Sequence, residues 1–312
     1  MRGSTGAPWT LPALAGVAVL ATVALGLQTV VTGVGLALQA LFIAFFLRHF
    51  GFAVSAMRTA PADLDLPPVP AAGPVVPVTV IVACRNEESV VEGLVTSLLA
   101  LDYPEDALQL IVVDDGSDDA TGVLLAARAA IEPRLTCLTR PPDAGGGKAA
   151  ALNSAISLVR GDVVIVFDAD HQPRPDVVRR LVRHFTDPSV GAVQGRCEIR
   201  NRDDSLLARL VSLDYLAGYL VNEYGRQALF ELPAYGGANC AVRTSSLRAV
   251  GGWNEASVTE DTDLTIRLLL RGERVRYDVG AVDTEEGVVS LERFWRQRYR
   301  WARGHQQAWR EY

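Results

Sequence analysis

The strongest constraint on the fold is a regular alternation of apolar runs of strand length with longer segments of helical periodicity. Four runs rich in β-branched residues predict strands and three intervening segments predict helices: strands at 78–84, 108–113, 135–139 and 163–167, helices at 87–101, 119–131 and 148–159. This alternation is typical of an α/β fold whose mainly parallel sheet is covered by helices on both faces. Because ligands of such sheets bind at the carboxyl ends of the strands, we expect functional residues just after each strand.

Acidic side chains lie at three of these predicted strand ends. Glu87 follows the first strand, Asp114 and Asp115 follow the second, and Asp168 and Asp170 follow the fourth. Carboxylates gathered at one edge of a sheet repel one another unless a cation lies among them, and Mg²⁺ or Mn²⁺ prefers such oxygen ligands. We therefore expect Asp168 and Asp170 to bind a divalent cation that also holds a diphosphate.

Two neighbouring features allow simpler interpretations. Asp118 and Asp119 directly precede a predicted helix, where aspartate commonly caps the first turn, so we assign them a structural role. Lys148 follows three glycines, but the segment lacks the first glycine and the Ser or Thr of a phosphate-binding P-loop. Lys148 is therefore predicted either to present one cation to a nucleotide from a flexible loop or simply to start the following helix.

An uncharged apolar block over residues 3–47 predicts a membrane anchor. A helix crosses the hydrocarbon core of a bilayer with roughly 20 apolar residues, so the block fits two spans better than one, with a turn near 28–35. Arg2, Arg48 and Arg58 flank the block, which predicts that the rest of the chain lies on the cytoplasmic side of the inner (plasma) membrane. A cleaved signal peptide is the alternative, but the block is too long for one.

The anchor gives a domain organisation in four parts. It covers residues 1–58 and is followed by a proline- and alanine-rich linker at 59–77. The α/β domain is predicted at 78–289. Residues 290–312 combine arginine and aromatic residues at helical spacing, which predicts an amphipathic helix lying on the membrane interface.

Charge and cysteine usage argue against two other classes of protein. The formal net charge is −6, and three of the basic residues lie in the first 58 positions, so the remainder is more acidic still. A nucleic-acid-binding protein would need a basic face. No C-x-x-C pair occurs among Cys84, Cys137, Cys197 and Cys240, so the sequence predicts neither a zinc site nor a redox motif.

Six motifs follow one another in a characteristic order: VTVIVACRNEE, LIVVDDGSDD, GGGKAAALN, VIVFDADH, VTEDTDL and QRYRW. Their order and spacing resemble the inverting glycosyltransferases of family 2, most of all the processive synthases of cellulose, chitin, hyaluronan and poly-N-acetylglucosamine. The resemblance implies a GT-A nucleotide-sugar-binding fold. It also implies transfer from UDP-glucose or UDP-N-acetylglucosamine to a growing β-linked glycan. A non-processive member that adds one sugar to a lipid carrier is the alternative, against which QRYRW favours the processive branch.

The resemblance also implies a role for each motif on the donor side. Asp114 and Asp115 are expected to contact the uridine, with Glu87 and Lys148 beside them. Asp168 and Asp170 are expected to hold the metal and the diphosphate.

On the acceptor side, the resemblance makes Asp261 the catalytic base. An inverting transfer needs a carboxylate that takes the proton of the attacking hydroxyl, and positive charge opposite it to stabilise the departing diphosphate. Glu260, Gln297, Arg300 and Trp301 are expected to close the channel over donor and acceptor. The simpler alternative for Asp261 is that it only caps the helix predicted to begin at Thr262.

Two other functions can be considered for the same residues, and both fit them less well. FDAD resembles the D-x-D of haloacid-dehalogenase phosphatases, but that family carries the motif on its first strand rather than its fourth. An inactive sugar-nucleotide sensor would not need acids at all three strand ends.

If the enzyme is a processive synthase, two helices cannot enclose a polar glycan in lipid. Export is then expected to need helices from a partner subunit or from other copies of the chain.

Overall fold

The computed structural model describes residues 10–64 and 75–312. Within these residues the chain forms two compact units, one ending at Gly51 and the other beginning at Phe52. The first unit contains helix α1 (Thr10–Leu25) and the beginning of helix α2 (Leu27–Leu64).

The break between α1 and α2 lies at Gly26, whose φ is +77°. The predicted turn near 28–35 is wrong, because α2 runs through it: isolated glycine and threonine residues weaken a helix without ending it, whereas a glycine of positive φ ends one. Within the described residues, one helical stretch, Leu27–Arg58, is long and apolar enough to cross a membrane, and α1 has 16 residues. The first predicted span and the linker both extend into residues outside the described range.

The second unit is an α/β domain built on one mixed sheet. Over the described residues the sheet has eight strands in the order β3-β2-β1-β4-β7-β6-β8-β5. The strands are β1 (Val78–Cys84), β2 (Leu108–Asp114), β3 (Leu135–Thr139), β4 (Val163–Asp168), β5 (Gln172–Pro173), β6 (Val190–Ile199), β7 (Cys240–Arg243) and β8 (Arg274–Glu285). Strands β1 to β4 pair in parallel, β7 runs antiparallel to β4 and β6, and β8 pairs in parallel with β6 and antiparallel with β5.

Helices cover both faces of this sheet. They are α3 (Val91–Leu99), α4 (Thr121–Ile131), α5 (Gly147–Ala155), α6 (Val177–Val182), α7 (Leu206–Leu216), α8 (Tyr224–Phe230), α9 (Thr244–Ala249), α10 (Glu260–Leu270) and α11 (Leu291–Glu311), with a π-helical segment, Ala217–Glu223, between α7 and α8. Alternate residues of the central strands enter two separate apolar clusters. Val80 and Val82 belong to the cluster under α3 and α6, and Ile81 belongs to the one under α5 and α10.

The predicted α/β fold is confirmed, and the four predicted strands occur as β1 to β4. The first two predicted helices begin later than expected because the segments after β1 and β2 first make turns, one of them through Asn86 with φ +57°. The third, α5, begins at Gly147, one residue before the predicted start, and ends early at Ala155. The turns after β1 and β2 hold the strand-end residues at the carboxyl edge of the sheet, where the functional residues were expected.

Candidate active site

A cavity of about 1100 Å³ opens at the carboxyl ends of β1, β2 and β4. Every predicted site residue except Asp114 lines it: Glu87, Asp115, Lys148, Asp168, Asp170, Glu260, Asp261, Gln297, Arg300 and Trp301. The strand ends supply Glu87, Asp115, Asp168 and Asp170, the first turn of α5 supplies Lys148, and α10 and α11 supply the remainder. Residues separated by more than 200 positions in the sequence therefore face one space.

Asp168 and Asp170 follow one another across the end of β4. Lys148 forms an ion pair with Asp168 and also donates to the carbonyl oxygen of Gly237 at 2.7 Å. Burial would raise the pKa of Asp168, but the charges of Lys148 and His171 lower it below its ordinary value. Burial raises the pKa of Asp170 to about 6, since the nearby His171 opposes this rise only in part.

His171 is a feature of the site that the sequence did not resolve. Its imidazole is buried, with Nδ1 hydrogen-bonded to Asp283 and Nε2 3.1 Å from Glu285 Oε2. Nε2 also lies 3.9 Å from Asp170 Oδ1. Burial alone would lower the pKa of His171, but Asp283 and Glu285 raise it well above its ordinary value. Both acids come from the end of β8, and Glu285 lines the same cavity, so a fourth strand end contributes a carboxylate to it.

The residues at the end of β4 fit a divalent cation. Asp168 and Asp170 offer hard oxygen ligands, and their side chains are 40% and 39% exposed towards the cavity. The raised pKa of Asp170 means that burial leaves its negative charge without full compensation. A cation of the Mg²⁺ or Mn²⁺ type is the partner that such oxygen ligands prefer.

The acids after β1 and β2 differ in their surroundings: some line the cavity and one does not. Asp115 is 5% exposed, forms an ion pair with Arg140 and lies 4.0 Å from Arg85. Burial raises the pKa of Glu87 to about 7, and Asp170 and Asp168 add to the effect. Asp114 does not line the cavity, in contrast to the expectation from the sequence.

Asp114 has a structural place instead. It is the last residue of β2, is 3% exposed, and its Oδ1 accepts from the backbone N–H of Ser117 at 3.0 Å. Neighbouring side chains of a strand point to opposite sides. Asp114 therefore holds the turn beneath the cavity while Asp115 borders the cavity itself.

Asp261 lies in the first turn of α10. The helix begins at Glu260 with Thr259 as the N-cap residue, so the interpretation of Asp261 as only a cap is wrong. Asp261 Oδ1 accepts from the N–H of Thr262 at 2.6 Å. A Cβ placed on Gly237 would lie 3.2 Å from Asp261 Oδ2 and 3.3 Å from Lys148 Nζ, so both charged groups lie close to this glycine.

Glu260 lies beside the same lysine. Its Oε1 is 3.9 Å from Lys148 Nζ, and its side chain is largely buried. Burial raises the pKa of Glu260, although the charge of Lys148 opposes this rise. One lysine thus lies between the acids of β4 and those of α10.

Helix α11 borders the cavity with Gln297, Arg298, Arg300 and Trp301. Ser290 caps the helix by accepting from the N–H of Arg293 at 3.3 Å. The guanidinium of Arg298 lies over the ring of Trp301 at 4.5 Å and bonds to Asp214 of α7, which ties the two helices together.

The outer faces of these two helices are apolar. Leu291, Trp295 and Tyr299 of α11 are 74%, 72% and 64% exposed and lie four residues apart along one stripe. Leu210 and Leu213 of α7 are also exposed. Asp214 and Arg298, which link the two helices, both line the cavity, so the helices that carry these apolar residues form part of its wall.

Comparison with known proteins gives consistent matches. A family model described as "Glycosyltransferase like family 2" matches residues 74–304. A beta-monoglucosyldiacylglycerol synthase of Synechocystis is 38% identical over 238 residues, which cover 75% of this chain and 49% of that protein. A poly-beta-1,6-N-acetyl-D-glucosamine synthase of Staphylococcus aureus is 29% identical over 228 residues, covering 73% of this chain and 54% of that protein. The chain thus spans about half the length of the curated relatives that it matches.

Solved structures agree with the fold. A mannosyltransferase of Pyrobaculum calidifontis, solved with GDP-Man and Mn²⁺, is similar with a TM-score of 0.64 and 26% identity. The similarity covers 88% of this chain and 75% of the mannosyltransferase chain.

Proposed function

The chain belongs to the family 2 glycosyltransferases and has a GT-A-like fold, and from this premise we propose that it is a membrane-associated, metal-dependent, inverting enzyme that uses a UDP-sugar. The observation that carries the proposal is the juxtaposition of two charged groups at Gly237. The carboxylate of Asp261 and the ammonium group of Lys148 both lie close to this residue, and Lys148 is in turn paired with Asp168 at the end of β4.

The proposed reaction uses the two sides of this arrangement. Asp261 takes the proton of the acceptor hydroxyl while the hydroxyl oxygen forms a bond to the anomeric carbon. The bond from that carbon to the diphosphate breaks on the opposite side and UDP leaves. The configuration of the anomeric carbon is thereby inverted. A divalent cation held by Asp168 and Asp170 would supply positive charge beside the diphosphate.

The other cavity residues receive roles from their positions. Lys148 and Arg300 are assigned to the departing diphosphate, because Lys148 is paired with Asp168 and Arg300 lines the same cavity. Glu87 and Asp115 are proposed to contact the nucleoside. Gln297 and Trp301 of α11 close the site over the donor and the acceptor.

Membrane association is proposed from two features. The stretch Leu27–Arg58 is apolar enough to cross a bilayer. The aromatic stripe of α11, flanked by Arg296 and Arg303, has the composition of a helix lying in the membrane interface. With basic residues at the flank of the apolar block, the catalytic unit is proposed to lie on the cytoplasmic side of the inner membrane.

Two acceptors are supported by different observations. The QRYRW motif and the relative from Staphylococcus aureus support a growing β-linked polysaccharide. The exposed apolar faces of α7 and α11 beside the cavity, with the relative from Synechocystis, support a lipid that receives a single sugar. Product length separates them, because a processive enzyme gives a ladder or long polymer and a lipid transferase gives one addition.

Activity of the purified full chain in lipid nanodiscs tests the proposal. UDP-glucose and UDP-N-acetylglucosamine are offered with Mn²⁺ and either dioleoylglycerol or chitobiose, and mass spectrometry identifies the product. Asp261→Asn is expected to lower kcat by roughly 100-fold or more while UDP binding persists, because the base acts on the acceptor. The exposed Asp118→Asn serves as the matched control and should retain activity. Loss of UDP binding in parallel with activity would contradict the role of Asp261.

A further inference from the structure

The C-terminal half of α11 packs against the segment that leads into α10, and this contact has no assigned role. Gly304 and Ala308, which lie one turn apart on α11, are buried. A Cβ placed on Gly304 would lie 2.5 Å from Thr259 Oγ1 and closer still to Thr259 Cγ2, so a larger residue would hold the two elements apart. The backbone of α11 therefore approaches Thr259 directly.

Gln307 links the same two elements by a pair of hydrogen bonds. Its Oε1 accepts from the backbone N–H of Val258 at 3.1 Å, and its Nε2 donates to the carbonyl oxygen of Ala256 at 2.9 Å. Residues 256–258 belong to neither a helix nor a strand, so their backbone groups need partners from elsewhere. One amide group supplies both a donor and an acceptor, and we call this arrangement the Gln307 clamp.

The clamped segment borders the cavity immediately before the proposed base. Ser257, Val258 and Thr259 line the cavity, and Thr259 is the N-cap residue of α10. Asp261 follows two residues later, and its carboxylate accepts from the N–H of Thr262, the next residue of the same helix. The position of the carboxylate therefore depends on where the first turn of α10 lies.

A further contact ties the end of α11 to that turn. The hydroxyl of Tyr312 donates to Asp263 Oδ1 at 2.8 Å, and Asp263 is 1% exposed. The N–H of Asp263 in turn donates to the carbonyl oxygen of Thr259 at 3.2 Å. Contacts at Gly304, Gln307 and Tyr312 thus hold α11 along the start of α10.

We propose that Gln307 is a positioning residue for the transfer reaction: its two hydrogen bonds hold the start of α10 so that the carboxylate of Asp261 meets the acceptor hydroxyl. The assignment rests on the proposed function, in which Asp261 is the base. Gln307 does not line the cavity, so it acts through Asp261 rather than on a substrate. Because α11 also carries the exposed apolar stripe, the clamp fixes the base relative to the face that is proposed to lie on the membrane.

Single-turnover transfer by Gln307→Met tests this role, because it measures the chemical step apart from product release. Methionine is flexible and nearly as long as glutamine but lacks the amide, so the change removes both hydrogen bonds and keeps most of the packing. Transfer to dioleoylglycerol in nanodiscs or to chitobiose, whichever the wild type uses, is expected to slow about tenfold, since misplacing a reacting group by about 1 Å can cost roughly 100-fold. The affinity for UDP, measured by titration calorimetry, is expected to stay at the wild-type level.

Two variants serve as controls. Gln306→Met changes the neighbouring glutamine of α11, which is exposed and does not line the cavity, and should keep the wild-type rate. Gln307→Glu retains an acceptor for the N–H of Val258 but no donor for the carbonyl oxygen of Ala256, and should transfer at an intermediate rate. Equal losses in Gln306→Met and Gln307→Met would overturn the assignment.

Combination with Asp261→Asn distinguishes positioning of the base from general damage. Residues that act as a unit have non-additive effects, so Gln307→Met should slow the residual transfer of Asp261→Asn by less than about twofold. A further tenfold loss in that background, or a wild-type rate in Gln307→Met alone, would overturn the role of Gln307 and leave the proposed function intact. Transfer at the wild-type rate by Asp261→Asn would instead contradict the proposed function.

Discussion

Metal binding should depend on pH because the proposed ligand Asp170 carries a raised pKa. The carboxyl has a pKa of about 6 in the metal-free protein. A metal binds the ionised form, so protons compete with it below that value and do not above it. Between pH 7 and pH 5 the ionised fraction of such a group falls about tenfold, so the apparent affinity for Mn²⁺ should fall about tenfold, or about 1.4 kcal/mol.

Isothermal titration of Mn²⁺ into the full chain at pH 5, 6 and 7, with saturating UDP, measures this effect. Repeating the pH 6 titration in two buffers of different ionisation enthalpy counts the protons released, and a release near half a proton is expected from Asp170 alone. Glu87, whose pKa is raised to about 7, would add to that release if the nearby cation ionises it.

Two variants complete the experiment. Asp170→Asn should lose most Mn²⁺ binding at every pH, because the amide cannot replace a charged ligand. Asp118→Asn, at an exposed position outside the cavity, should bind as the wild type does. Equal Mn²⁺ affinities at pH 5 and pH 7 in the wild type would refute the assignment of Asp170 as a ligand with a raised pKa.

Two further predictions concern Lys148 and the junction with α2. Lys148→Met should raise the apparent Mn²⁺ affinity up to about fivefold, because it removes a partly exposed cation that competes for Asp168. The same change should weaken UDP binding. Unchanged Mn²⁺ and UDP affinities by titration would count against that competition. Gly225→Ala should destabilise the catalytic unit by about 1–3 kcal/mol in thermal unfolding, since its Cβ would lie 2.5 Å from Phe52 Cβ and 2.7 Å from Phe52 Cα. Gly218→Ala, which has open space, is the control and should be neutral or stabilising, so equal effects of the two changes would contradict the close packing of Phe52.

The sequence predicted the strands whose local hydrophobic pattern agrees with their buried position in the sheet. Strands β1, β2 and β4 are continuous apolar runs because both of their faces are buried, and the acids that follow them are found at the strand ends. Edge strand β3 is only partly buried. The position of Asp261 was predicted by its motif alone, since its local pattern equally suggested a helix cap. Only the structure shows Thr259 at the N-cap position, which removes that alternative.

Strands β6 and β8, which the sequence did not predict, carry polar residues whose partners are distant in the sequence. Strand β8 alternates charged and apolar residues, and Asp283 becomes buried only because His171 of the segment after β4 pairs with it. Arg196 of β6 similarly donates to the carbonyl oxygen of Val279, more than 80 positions away. Neither strand has the apolar run that marks a buried strand, and so their contribution to the cavity was not predicted.

The π-helical segment was not predictable for a related reason. The segment Ala217–Glu223 contains several apolar residues that suit an ordinary α-helix. Nothing in the order of its residues requires an extra residue per turn. The segment is fixed from outside, by the contact of Glu223 with Ala234 and by the packing of the Tyr219 ring on Tyr277 at 6.4 Å. A feature held by distant partners leaves no periodic signal of its own.

The sheet and the helices contribute differently to the proposed reaction. The parallel strands β1, β2 and β4 deliver Asp115 and the Asp168/Asp170 pair, which are proposed to face the donor. Helix α10 delivers Asp261, which is proposed to face the acceptor, and α11 delivers residues proposed for both sides, Arg300 and Gln297. Gly237, in the segment before β7, lies close to both Lys148 and Asp261, and a Cβ there would meet Asp261 Oδ2 at 3.2 Å and Lys148 Nζ at 3.3 Å, closer than usual van der Waals contact. Substitution of Asp261 is therefore expected to lower transfer to the acceptor while binding of UDP, which depends on the strand-end residues and Lys148, persists.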